Sequence, residues 1–139
     1  MKITIEVVQL QEQRKFHGKY IIGDWYFDEI TDDLILKVVD FGDWRYNYLY
    51  ACHEMDEAFF CKAAGISTKV VDEWCDKPED APECGEGNPD SFSGYGEAPY
   101  QFQHNDALAI EWIRARLLGV DWREYGKAVQ KYVDLGCTF

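Results

Sequence analysis

The sequence predicts an α+β fold: a small antiparallel β-sheet, made of an N-terminal strand and a β-hairpin, packed against two long helices and a C-terminal helix. Three observations predict it. The chain has 139 residues, the length of a single domain. Hydrophobic residues make up 47% and aromatics 16%, enough apolar material for one real core. The apolar period is that of strands over residues 1–42 and becomes helical afterwards, and strands followed by helices point to helices laid on one face of an antiparallel sheet.

Ile3, Ile5 and Val7 alternate with Thr4 and Glu6, which predicts a strand over Ile3–Val8. Gln9–Lys19 is polar. Tyr20–Asp28 and Leu34–Asp40 are rich in β-branched and aromatic residues, and the turn chemistry of residues 29–33 between them predicts a hairpin. Helical spacing runs from Trp44 to about Ala64, where Gly65 supplies a stop. Ser67 is placed to cap a short helix ending near Cys75. Residues 76–98 carry three prolines, four glycines, seven acids and one Lys, and read as one long loop suited to a lid or to substrate selection. Helical periodicity returns over Pro99–Leu118 and closes at Gly119. Asp121 and Glu124 have the spacing of a capping box opening a last helix to about Val133. No internal repeat or second core divides the chain.

Against 26 Asp plus Glu stand 14 Lys plus Arg, a net charge of −12. A body this acidic repels phosphate backbones, which argues against nucleic-acid and anionic-membrane partners. Met1–Leu10 lacks the apolar run of a signal peptide, and no stretch approaches the roughly 20 apolar residues that span a bilayer, so a soluble, cytoplasmic protein is expected. Oligomeric state is not legible. The five cysteines (Cys52, Cys61, Cys75, Cys84 and Cys137) have no CxxC spacing and read as free thiols in a reducing compartment.

The chemistry concentrates on two helical faces. On a wheel of about 100° per residue, His53 and Glu57 lie one turn apart within an apolar stripe that includes Leu49 and Phe60, with Glu54 at its edge. In the second long helix His104 and Glu111 share a stripe with Leu108, Ala115 and Leu118. Buried carboxylates without partners cost several kcal/mol, so these groups should meet each other or a cation. Imidazole nitrogen with carboxylate oxygen suits zinc or another divalent transition metal. His53-Glu54-Met55-Asp56-Glu57 is an HExxE string. By analogy with HExxH it offers His53 and Glu57 as ligands and Glu54 as a base, with His104 completing the set. Glu111 is either a fourth ligand or the partner that orients an imidazole. The same i, i+4 pair also occurs as an ordinary helix ion pair. His17 is expected on the surface, Asp56 and Asp106 facing water or capping, and Tyr46, Tyr48, Tyr50, Phe59 and Phe60 in the core.

Gly23-Asp24-Trp25-Tyr26, Gly42-Asp43-Trp44-Arg45-Tyr46, His53-Glu54-x-x-Glu57-Ala58, Cys61-Lys62-x-x-Gly65-Ile66-Ser67, Val71-Asp72, Ala98-Pro99-Tyr100-x-x-x-His104, Ile110-Glu111 and Leu118-Gly119-Val120-Asp121-Trp122 occur in that order. Together they resemble a family of small uncharacterised proteins of phages, prophages and bacteria. Relatives in that family tend to carry an acid where this chain has Gln103, and another where it has Cys75. A hairpin leading into an HExxE helix is similar to the core of zincin-like metallopeptidases. That resemblance implies His53, Glu57 and His104 as ligands, Glu54 as base, and a zinc hydrolase acting on a peptide or protein bound by strand addition. Two other functions fit the sequence. One is a non-catalytic phage accessory protein with a closed structural metal site or a buried polar cluster. The other is a nucleotide pyrophosphohydrolase-like helical enzyme, which predicts carboxylates around magnesium and a basic residue for phosphate, and is disfavoured by the two histidines.

Overall fold

The computed structural model describes residues 1–75 and 98–137, so most of the acidic Pro/Gly-rich loop lies outside the described residues. Among the described residues five strands precede four α-helices, with one 3-10 turn at Leu10–Glu12 after the first strand: β1 (Ile3–Val8), β2 (Lys15–Phe16), β3 (Lys19–Tyr20), β4 (Gly23–Phe27), β5 (Leu34–Val39), α1 (Trp44–Ala63), α2 (Thr68–Cys75), α3 (Gln101–Leu117) and α4 (Trp122–Asp134). The class is α+β, as the change of period predicts.

The sheet corrects one expectation. It is mixed, in the order β1-β5-β4, not antiparallel. β4 and β5 form the expected antiparallel hairpin, from Gly23 opposite Val38 to Phe27 opposite Leu34. β1 instead runs parallel to β5, from Ile3 beside Leu34 to Val8 beside Val39. Alternation reports which face of a strand is buried and says nothing about the direction of its neighbour. The polar stretch after β1 also contains the small β2–β3 hairpin, turned by His17 and Gly18 at φ of 48° and 76°. Two-residue strands are too short to carry a period, which hides this hairpin from a sequence reading.

Leu34, Leu36 and Val38 point from one face of β5 into the core, where they meet Leu49, Ala58 and Cys61 of α1. Trp25 shares that face on β4. Helix α1 packs against β4 and β5 on one side and against α3 on the other. It is therefore the central layer, and polar residues along it are buried whichever neighbour they face.

Local chemistry sets where each helix begins and ends. Asp43 caps α1 through the Arg45 amide at 2.9 Å, and Gly65 ends it with φ of 73° as Ile66 N–H returns to the Cys61 carbonyl. The Ser67 hydroxyl accepts from the Val70 amide at the start of α2, as expected. Asp121 accepts from the amides of Arg123 and Glu124, but the Glu124 carboxylate pairs with Lys127. Tyr50 is a core residue as expected and Tyr46 and Phe59 pack against the core, whereas Phe60 is only half-buried and Tyr48 is 45% exposed.

Candidate metal centre

The middle of α1 presents His53, Glu54 and Glu57 inside the protein, each less than a tenth exposed. From the facing side of α3 come His104 near its N-terminus and Glu111 two turns later. The helical spacing read from the sequence thus places all five groups in the interface region between α1, α3 and β4. His17, by contrast, is on the surface, as is Asp106. Asp56 does not face water: it forms an ion pair with Arg114 that ties α1 to α3.

Three ligand atoms converge. His104 Nδ1 lies 2.6 Å from Glu57 Oε2 and 3.3 Å from His53 Nε2, and His53 Nε2 lies 3.6 Å from Glu57 Oε2. Zinc bonds to nitrogen and oxygen of roughly 2.0–2.1 Å in a tetrahedron put neighbouring ligand atoms about 3.3 Å apart. Two of the three separations already match. The third is a hydrogen-bond distance, so taking a metal requires His104 and Glu57 to part by roughly 0.7 Å and break that hydrogen bond. Two imidazole nitrogens with one carboxylate oxygen fit zinc or a similar transition ion better than magnesium or calcium, which prefer all-oxygen shells. Among the described residues the group has these three members and no more.

Glu111 stands behind the group. Its Oε2 is 2.8 Å from His53 Nδ1, and its Oε1 accepts the hydroxyl hydrogen bond of Tyr125 in α4. Both its oxygens are engaged away from the convergence point. A carboxylate on Nδ1 fixes the tautomer of His53 and turns Nε2 toward the group, the usual outer arrangement of a metal-binding imidazole. Glu57 is steadied in the same way, its Oε1 accepting from Trp25 Nε1 at 3.0 Å. Every oxygen of these two buried carboxylates therefore has a donor, which is what makes their burial tolerable.

Burial by itself would lower the His53 pKa, yet its hydrogen bonds to Glu111 and Glu57 hold it well above the ordinary value. Burial would likewise raise Glu57, but hydrogen bonds from His104 and His53 bring it down to about 2. Glu54 goes the other way: burial first, then the charge of Glu57, pushes it well above the usual carboxylate range. Its carboxyl lies against Gly23 of β4, where an added Cβ would sit 2.5 Å from Oε1 and equally close to Tyr50 Cε1. Only glycine lets the strand come this near. Burial pushes Cys61 up to about 12, helped by the charge of Glu57, so it is a thiol at neutral pH, and its sulfur is not among the converging atoms.

The group opens onto a small pocket of about 60 Å³ lined by Gly23, Trp25, Glu54, His53, Glu57 and His104, with Tyr50 and Tyr100 as walls. Arg14 sits at its mouth, 2.7 Å from Asp24 and 3.3 Å from Asp72. No protein-family model, curated protein or solved structure matches the chain.

Trp25 and Tyr125 are the members that sequence reasoning missed. Trp25 had a signal, an inward position in an alternating strand. Tyr125, on a helix remote in sequence, had none. Tyr125→Phe is expected to weaken metal affinity about 10- to 100-fold with the fold intact, since it frees Glu111 to drift from His53. Competition with a chromogenic chelator measures this, and an unchanged affinity would remove Tyr125 from the site.

Proposed function

We propose that the protein is a metal-dependent hydrolase, with zinc or another divalent transition ion held by His53, Glu57 and His104 and with Glu54 as general base and acid. The observation that carries this reading is a three-ligand group sharing one pocket with a fourth, buried carboxyl that is not a ligand. A bound ion of this kind supplies Lewis acidity and a water of near-neutral pKa. The protein's own groups do the rest. Glu54, raised well above the usual carboxylate range by burial and the charge of Glu57, takes a proton at its carboxylate and returns it to a leaving group. Glu111 and Trp25 keep His53 and Glu57 in place while this happens.

A peptide or protein substrate is favoured by the strand beside the pocket. The carbonyl of Ile22 accepts from Val39 of β5 and the amide of Asp28 donates to Asp33 just before it, so by alternation the main-chain groups of Gly23, Trp25 and Phe27 point outward. Phe27 N–H is taken by the Thr68 hydroxyl, and Gly23 and Trp25 lie along the pocket. An extended chain pairing there would pass in front of Glu54, as strand addition requires. Strand addition beside the metal is also what the resemblance of the HExxE layout to zincin-like metallopeptidases implies.

A closed structural site needs a fourth protein ligand, and Glu111, the candidate for it, has both oxygens in use. A magnesium pyrophosphohydrolase needs a free cation for phosphate, and Arg14 at the pocket mouth is bonded to two aspartates. Protein purified without chelator is expected to carry about one equivalent of zinc or a similar ion by elemental analysis. Glu54→Gln should keep that metal and abolish hydrolysis of a labelled unstructured protein such as casein. Metal-free wild type would overturn the proposal, and a fully active Glu54→Gln would overturn the role of Glu54.

A further inference from the structure

We propose that the outer edge of β1 docks a second copy of this chain, antiparallel and about a two-fold axis at Thr4. Among the described residues no strand lies beyond β1 in the sheet. The carbonyls of Lys2 and Val8 accept from the amides of Leu34 and Asp40, which fixes the phase of the strand. Lys2, Thr4, Glu6 and Val8 turn their main chain to β5, and Ile3, Ile5 and Val7 turn theirs outward. Those three outward residues are all apolar. Their parallel partners Leu34, Leu36 and Val38 are wholly buried on the same face of the sheet, yet Ile3, Ile5 and Val7 are 46–48% exposed. Helix α1 covers β4 and β5, and among the described residues it leaves the core face of β1 half exposed.

The charges select the occupant. About Thr4, Lys2 of one copy falls opposite Glu6 of the other, twice over, and Ile3 falls opposite Ile5 in hydrogen-bonding position. An axis at Ile5 sets Lys2 against Val8, and an axis at Glu6 sets two glutamates face to face, which is unfavourable. Edge strands normally carry charges that repel a second strand. The charges of β1 are of opposite sign and equally spaced from Thr4, so they match a copy of themselves. The product is a continuous six-stranded sheet with the order β4-β5-β1-β1-β5-β4, and the two metal centres lie beside its far edges, away from the contact.

Analytical ultracentrifugation of the full chain is expected to show a dimer that dissociates on dilution. Glu6→Lys should give a monomer, and the double exchange Lys2→Glu with Glu6→Lys should restore the dimer. Ile5→Pro should also give a monomer, because it removes an N–H that β5 does not use. Thr4→Cys places two thiols at a non-hydrogen-bonded pair, with Cα atoms about 4.5 Å apart, and should yield a disulfide-linked dimer on mild oxidation. Circular dichroism confirms that each variant is folded, and a variant that fails to fold leaves the Thr4→Cys crosslink to decide. Wild type monomeric up to about 200 μM, a dimer indifferent to Glu6→Lys, or a folded Thr4→Cys that does not crosslink would each overturn the proposal.

Discussion

His53→Ala is expected to abolish metal uptake and to lower the stability of the metal-free protein by about 3–5 kcal/mol. The two effects share a cause. His53 offers Nε2 to the ligand group and Nδ1 to Glu111, so its removal leaves Glu111 without its buried cationic partner and Glu57 with one fewer donor. A buried carboxylate that loses its partner carries the full cost of its desolvation. His104→Ala removes a proposed ligand from a more exposed position, where it meets Glu57 and His53, and leaves the Glu111–His53 pair in place. It should lose metal equally while destabilising less. Elemental analysis paired with urea unfolding of both variants checks this. Metal retained by His53→Ala would remove the imidazole from the site, and equal destabilisation by both would mean that Glu111 does not depend on His53.

The candidate site was more legible than the sheet, for a physical reason. His53, Glu57, His104 and Glu111 were found because a polar group on an apolar helical face is costly, and the helical period alone gives its direction. The direction of β1 leaves no such trace. Ile3, Ile5 and Val7 alternate identically beside a parallel or an antiparallel neighbour, and only the path of the chain between β1 and β5 decides. Glu54 falls between the two cases. The wheel put it at the edge of the stripe, but Gly23 lets β4 approach so closely that this edge position is buried as well. The role of Glu111 required coordinates, because a ligand and a partner of the imidazole's other nitrogen share one helical face.

Metal affinity is expected to rise about tenfold per pH unit from neutral pH until the raised pKa of His53 is passed, where it levels off. In the metal-free protein His53 meets Glu54 and Glu57 on its own helix and Glu111 and His104 on α3, while Asp24 of β4 acts on Glu54 and Tyr125 of α4 bonds to Glu111. The carboxylates hold its proton, and a metal must displace it from Nε2. Glu57, already ionised far below neutral, adds nothing to this slope. Glu54 steepens it, since loss of its proton places another negative charge beside the ion. The stability of the metal-free protein follows the same groups with the opposite sign. The contribution of His53, whose folded pKa is raised, is fully present below about pH 6.5 and is lost as pH rises through the folded value. The contribution of Glu57, whose folded pKa is depressed, is present above about pH 4.5 and fades only as pH falls toward 2. Glu54 costs stability as pH climbs above the usual carboxylate range, because the folded state resists its ionisation. The metal-free protein should therefore weaken on the alkaline side just as its metal affinity grows, and the gap in Tm between zinc-loaded and metal-free samples should widen from pH 6 to pH 8. Melts across that range test it, with calorimetric titration in two buffers of different ionisation enthalpy counting the proton released. A gap that narrows as pH rises would mean that no proton leaves His53 on binding, and so that its Nε2 is not a ligand.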